Sequence, residues 1–221
     1  MKKGLLLKIS AIVSGVSGIV ILLGVLSPIL FYKGSPIKES SNIVSPLPEK
    51  EKVKGEEGEL DYTKASNWFI GGAESKDFKS EKISFYTLSI PKLKIENASV
   101  GIGGEDLAKS LIQYPGTALP GKRGNSVIFG HSILPIFFNP KDYISIFSTL
   151  PTLKKGDEIN INYDGVSFKY RVEEMFEVVP SDIEVLEQDA SDSFLTLVTC
   201  VPPGDPRKPR RLIVRARIVS I

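Results

Sequence analysis

The stretch Glu158–Val172, EININYDGVSFKYRV, decides how the chain is to be read. Ile159, Ile161 and Tyr163 alternate with Glu158, Asn160 and Asn162. After Asp164-Gly165, Val166, Phe168, Tyr170 and Val172 alternate with Ser167, Lys169 and Arg171. A period of two puts the apolar set on one face of an extended strand, and Asp-Gly between two such runs marks a two-residue hairpin. Working outward, Phe85–Ile90 is aromatic and branched and stops at Pro91. Ser126–Phe129 follows the turn-forming Pro120–Asn125, and Phe194–Thr199 and Leu212–Val219 add two more strands. Short helices are expected at Glu105–Leu111 and Tyr143–Leu150, with a helical turn after Pro180. Many short strands separated by turn signals specify an all-β domain over residues 82–221, a closed barrel or a sandwich.

Upstream the character changes. Ile9–Tyr32 carries no charge and is long enough to cross a bilayer core, which takes about 20 apolar residues as helix. Lys2, Lys3 and Lys8 precede it, so the positive-inside rule makes residues 1–8 cytoplasmic, 9–32 a transmembrane signal anchor and the remainder extracytoplasmic. A cleaved signal peptide has a shorter apolar region, about 7–15 residues. Residues 33–81 are rich in Ser, Pro, Glu, Lys and Gly and read as a flexible linker reaching on the order of 40 Å. Within it, Trp68-Phe69-Ile70 is too apolar for solvent; packing on the domain as an appendage is preferred to a lid over a groove.

The net charge is +2 with both signs interspersed, which argues against a nucleic-acid partner. The chain has one histidine and one cysteine, so no internal disulfide forms. A lone thiol is ordinarily a small buried hydrophobe. Here, however, His131 ends the run Val127–His131 and Cys200 ends Leu195–Cys200, both at strand ends feeding loops, where a rigid scaffold presents reactive groups. Gly130 allows close backbone approach beside the histidine. In Arg210–Ile218, period two makes Leu212, Val214, Ala216 and Ile218 the inward face and turns Arg211, Arg215 and Arg217 outward, Arg211 nearest the loop after Cys200. Thiol, imidazole and guanidinium together suit acyl transfer: a nucleophile, a proton carrier and a permanent charge for an oxyanion.

The context of these residues resembles the sortase family. Thr196-Leu197-Val198-Thr199-Cys200 is similar to its Thr-Leu-x-Thr-Cys nucleophile motif, Arg211-Leu212-Ile213-Val214 to the catalytic arginine opening the last strand, and Phe129-Gly130-His131 to its Gly-His motif. Tyr114–Gly121 and Leu88–Leu93 resemble the segment before that histidine and the opening barrel strand. The resemblance implies a closed eight-stranded β-barrel with short helices and catalytic roles for Cys200, His131 and Arg211. It further implies transpeptidation without a cofactor on surface proteins bearing a C-terminal, LPXTG-like sorting signal. The acceptor is an amine nucleophile such as a peptidoglycan precursor. By the same resemblance, Ile183, Val185 and Leu186 line the pocket for the signal and Thr199 sits beside the acyl site. A single N-terminal anchor fits the housekeeping, class D or class E groups. The basic, Gly-rich Pro120–Asn125 stretch stands where calcium-dependent members carry acidic residues, so no metal is expected.

Two rivals fit less well. Papain-like and amidase folds place the cysteine before the histidine, usually at a helix start, and L,D-transpeptidases need a glycine before the cysteine; neither pattern is present. A non-enzymatic tethered β-domain leaves the joint placement of Cys200, His131 and Arg211 without a purpose; a catalytically inactive member of the family stays as the alternative reading.

Overall fold

The computed structural model describes residues 2–37, 61–80 and 84–219. One helix, α1 (Lys2–Leu30), precedes eight strands: β1 (Ser84–Ile90), β2 (Ile95–Ile102), β3 (Leu111–Gln113), β4 (Gly124–Phe129), β5 (Glu158–Tyr163), β6 (Val166–Val178), β7 (Ser193–Val201) and β8 (Arg210–Ile218). They close into a barrel in the order β1-β2-β3-β4-β7-β8-β6-β5, with β5 returning to β1. The pairs β2–β3 and β4–β7 are parallel and the others antiparallel.

The β5–β6 hairpin forms as its residues dictate. Tyr163 pairs with Val166 across Asp164 and Gly165, whose φ values of 52° and 74° give the turn the twist a hairpin requires. Ile159, Ile161, Tyr170 and Val172 then fall inside the barrel. On the outer side, Lys169 and Arg171 pair with Glu158. Past Val172 the strand does not stop. A bulge between Val172 and Glu174 shifts its register on β8, and it continues to Val178.

The barrel has two cores. Leu88, Val100, Ile128, Leu195, Leu197 and Val214 fill its interior. Trp68, Phe69, Phe78, Val127, Phe129, Val198 and Ile213 form a second cluster, outside the barrel wall. Every residue of β4 and of β7 is therefore buried. This explains why both strands read as continuous apolar runs, the pattern of a strand covered on both faces.

Three expectations need correction. Residues 61–80 are folded on the barrel rather than trailing as linker, with 3-10 turns at Ala65–Asn67 and Ser75–Phe78. Residues 38–60 and 81–83, the rest of the expected linker apart from the docked 33–37 described below, lie outside the described residues. Glu105–Leu111 is not helical, because its backbone bonds go elsewhere: Ala65 N–H donates to Glu105 O and Leu107 N–H to Thr63 O. Tyr143–Leu150 is a series of turns entering a 3-10 turn at Leu150–Thr152. The helical turn after Pro180 is present as a 3-10 turn at Ile183–Leu186. α1 contains the expected apolar span, with Lys8–Leu30 long and apolar enough to cross a membrane.

Gly130 shows how tightly β4 is seated where it delivers the histidine. A Cβ there would lie 2.3 Å from Phe147 Cδ2 and 2.6 Å from Leu111 Cδ2. Gly130→Ala is expected to destabilise the fold by about 1–3 kcal/mol, the usual result of overpacking. A lowered urea midpoint checks this, and an unchanged midpoint would show that the wall yields.

Candidate active site

Strand pairing brings the three candidate side chains to one place. Along β7 the inner core takes Leu195, Leu197 and Val201, so Cys200 projects outward with Val198. Along β8 the inner core takes Leu212, Val214 and Ala216, leaving Arg211 on the outer face as the alternation predicted. Cys200 and Arg211 are directly opposite one another across the antiparallel pair.

His131 reaches the same level from the other side of β7. β4 runs parallel to β7 with Phe129 beside Val198, and Gly130 N–H extends the ladder to Val198 O at 3.1 Å. Thr199 Oγ1 donates to Gly130 O at 2.8 Å and Ser132 Oγ to Cys200 O at 2.7 Å, so the residues flanking each reactive side chain are tied to the other strand. Phe147 N–H donates to His131 O and fixes the loop beyond.

The site is roofed. Trp68 is 0% exposed, Cys200 and Arg211 1%, and His131 6%. The Trp68 ring stacks on Phe129 at 5.2 Å and stands 6.1 Å from the His131 ring. Its carbonyl accepts from Arg211 Nε at 3.0 Å, while the guanidinium carbon lies 5.6 Å from both the Trp68 and Tyr62 ring centres. The roof is pinned by Ile70 N–H donating to Pro180 O, by Ser66 and Ser75 hydroxyls on Glu105, and by the Tyr114 hydroxyl accepting from Ala73 N–H. Trp68-Phe69 thus packs on the domain, but the surface it packs on is the candidate site, so its placement is that of a cover over a groove rather than of the simple appendage expected.

Burial governs the protonation of the covered groups. It raises the Cys200 thiol above its ordinary range, against the opposing pull of Arg211 and Lys208. It lowers His131 to about 4, helped by the Lys208 ammonium and opposed by Asp61. His131 Nδ1 has no hydrogen-bond partner among the described residues. The closed site therefore holds a neutral thiol and a neutral imidazole at neutral pH. Arg211 forms no ion pair among the described residues; its bonds go to carbonyls, of Trp68, of Lys208 at 2.8 Å and of Arg210 at 3.2 Å. A buried cation served only by neutral carbonyls is expensive to keep and suits a site where negative charge develops on an oxygen.

The expected pocket residues divide. Val185 and Leu186 pack on the outer cluster around Trp68, and Ile183 is 41% exposed. Their loop is held by Asn125, whose Nδ2 donates to Val185 O, and by Gln188, whose Oε1 accepts from Ala118 and Asn125 N–H. Thr199 does not belong with them. It shares the parity of Leu197 and Val201, opposite to Cys200, and its hydroxyl is spent on Gly130 O. Sequence reasoning missed Tyr62, Ser132 and Lys208, which have no motif; Trp68 was visible only as an apolar residue out of place. Among the described residues no group of three or more His, Cys, Asp or Glu side chains is placed to hold a metal.

Comparison with known proteins agrees with this geometry. Residues 88–219 match the model of the sortase domain. Sortase A of Streptococcus agalactiae is 27% identical over 133 residues, covering 59% of this chain and 51% of that protein. Sortase A of Bacillus anthracis is 29% identical over 136 residues, covering 60% and 59%. The chain thus spans little more than half the length of the curated relatives it matches. Among solved structures, a lid mutant of sortase A from Corynebacterium diphtheriae superposes with a TM-score of 0.54 at 30% identity, covering 63% of this chain and 73% of that one. With its sortase-type closed barrel, the chain belongs to the sortase family, whose members are cysteine transpeptidases.

Proposed function

We propose that the protein is a membrane-anchored sortase that cleaves an LPXTG-like C-terminal sorting signal on surface proteins and passes the acyl group to an amine. The observation that carries this reading is the buried Arg211 guanidinium opposite the Cys200 thiol, bonded to a backbone carbonyl where a substrate carbonyl is needed. In the first step the Cys200 thiol passes its proton to the His131 imidazole and the sulfur attacks the scissile carbonyl carbon, while the oxyanion takes over the Arg211 donor now given to Trp68 O. Collapse expels the amine, which leaves with a proton from His131, and a thioester remains. An incoming amine, from a peptidoglycan precursor or another protein, attacks that thioester and passes its proton to the imidazole. The new amide departs and the thiolate is restored. Ile183, Val185 and Leu186 line the pocket for the signal peptide once the roof has moved.

Membrane anchoring rests on the Lys8–Leu30 span and the lysines before it, which direct the barrel to the extracytoplasmic face. The roof is a self-cover: substrate reaches Cys200 only when Trp68 leaves. Opening restores solvent to both reactive groups, lowering the thiol's proton affinity and raising that of the imidazole.

Cys200→Ala is expected to abolish the thioester with a sorting-signal peptide, read by intact mass. Arg211→Lys should lower turnover by roughly 10²–10³-fold, since a point charge replaces a planar fork aimed at the oxyanion. Arg210→Lys, at a residue whose side chain pairs with Glu177 instead, should keep most of the activity. Cleavage of the signal peptide undiminished in Cys200→Ala would overturn the nucleophile assignment.

Trp68→Ala should raise alkylation of Cys200 by iodoacetamide more than roughly tenfold, because deleting a buried Trp costs about 3–5 kcal/mol of closure. Closure keeps His131 unprotonated down to about pH 4, whereas an exposed imidazole takes up its proton near 6.5. The open form therefore binds more protons between those values, and falling pH favours it. Emission from Trp68, the sole tryptophan, should red-shift as pH falls through that window, and the shift should shrink in His131→Gln. An equal shift in both proteins would assign the response to another group.

A further inference from the structure

The residues just after α1 are fastened to the barrel. The Tyr32 hydroxyl donates to Glu177 Oε1 at 3.1 Å, and Ser35 N–H donates to the same oxygen at 2.8 Å. Glu177 N–H in turn donates to Pro36 O at 2.9 Å, and Ile37 forms a parallel bridge with Glu177. The Glu177 side chain is 0% exposed, and its other oxygen accepts from Arg210 Nη1 at 3.1 Å. A buried carboxylate persists only with partners. Glu177 draws most of its own from the juxtamembrane segment, so segment and barrel hold each other.

The clasp brings the helix end against the catalytic loops. Pro28, Phe31 and Lys33 share a cavity of about 310 Å³ with Pro135, beyond His131, and Pro203, beyond Cys200. Pro28 and Ile29 are half-buried whereas the preceding helix is open, so the barrel reaches the last turn of α1. Beside that junction Ile136 and Phe137 are 74% and 62% exposed, as Leu30 and Phe31 are at 71% and 77%. Large apolar side chains grouped in this way call for a cover, and the cover continuous with an apolar helix is the bilayer that the helix enters.

We propose that the catalytic end of the barrel rests on the membrane, with Ile136 and Phe137 entering the lipid interface and the Glu177 clasp holding them there. This rests on the reading of α1 as a membrane anchor. It replaces a domain held on the order of 40 Å away by a coil with one seated at the lipid surface, its site opening beside the bilayer.

The test uses the full chain in phosphatidylethanolamine–phosphatidylglycerol vesicles containing lipid brominated near the headgroup end of the acyl chain. On a Trp68→Phe background, Phe137→Trp reports the loop and, separately, Leu22→Trp reports the helix. The expected result is blue-shifted, bromine-quenched emission from Phe137→Trp, with quenching lost on adding Glu177→Ala and reduced on adding the milder Tyr32→Phe. Leu22→Trp should be quenched throughout. An unquenched Phe137→Trp beside a quenched Leu22→Trp overturns the lipid contact and leaves the anchor standing. If that unquenched emission is also blue-shifted, a protein partner or second copy covers the loop instead of lipid. Absence of quenching at both positions defeats the anchor reading and the contact together.

Discussion

A guanidinium buried to 1% and in no ion pair among the described residues is the constraint around which this site is built. Arg211 cannot shed its charge, and in the closed protein its donors are met by the carbonyls of Trp68, Lys208 and Arg210. The Lys208 and Arg210 carbonyls belong to its own strand entry and travel with it, whereas the carbonyl of Trp68 comes from a distant segment. The closed state thus presents neutral oxygen at the point where an acyl-transfer reaction generates an anionic one. Aromatic rings of Trp68 and Tyr62 about the guanidinium exclude water while offering it only quadrupoles, which strengthens any charge that arrives.

The same segment explains why the barrel wall is dry on both sides. A β-barrel normally turns polar residues outward, yet Val127, Phe129, Val198 and Ile213 face outward and are apolar. Their cover is residues 62–78, whose aromatic side chains make the outer cluster. The cover and the candidate nucleophile Cys200 therefore share one packing unit.

What could be read in the sequence was local. The hairpin, β4, β7 and β8 announce themselves through period two or through short apolar runs, and the parity of Arg211 followed from its strand. β2 was not seen because Glu96 and Asn97, the latter at φ 50°, interrupt its pattern, and β3 is only three residues long. β6 was cut short because the bulge at Val172/Glu174 breaks the alternation. The resemblance puts Thr199 beside the acyl site, whereas adjacent residues on a strand face opposite ways and Thr199 turns from the face that carries Cys200. The roof was illegible for a different reason: its bonds join Thr63 to Leu107 and Trp68 to Arg211, separations no periodicity encodes.

Ile37 is bridged to Glu177 before the roof in the chain and β1 follows after it, so the roof is held at both ends even while it is lifted. It is a tethered competitor, and a segment on so short a leash faces its own groove at an effective concentration in the millimolar range. On the proposed function a substrate would have to displace that competitor at every turnover, and its apparent affinity would fall as the fraction of time the groove stands open falls. Signals that differ little in intrinsic affinity are then separated by whether they exceed a common threshold. On the proposed function, a surface protein concentrated beside the barrel would have an advantage that the same peptide lacks when free in solution.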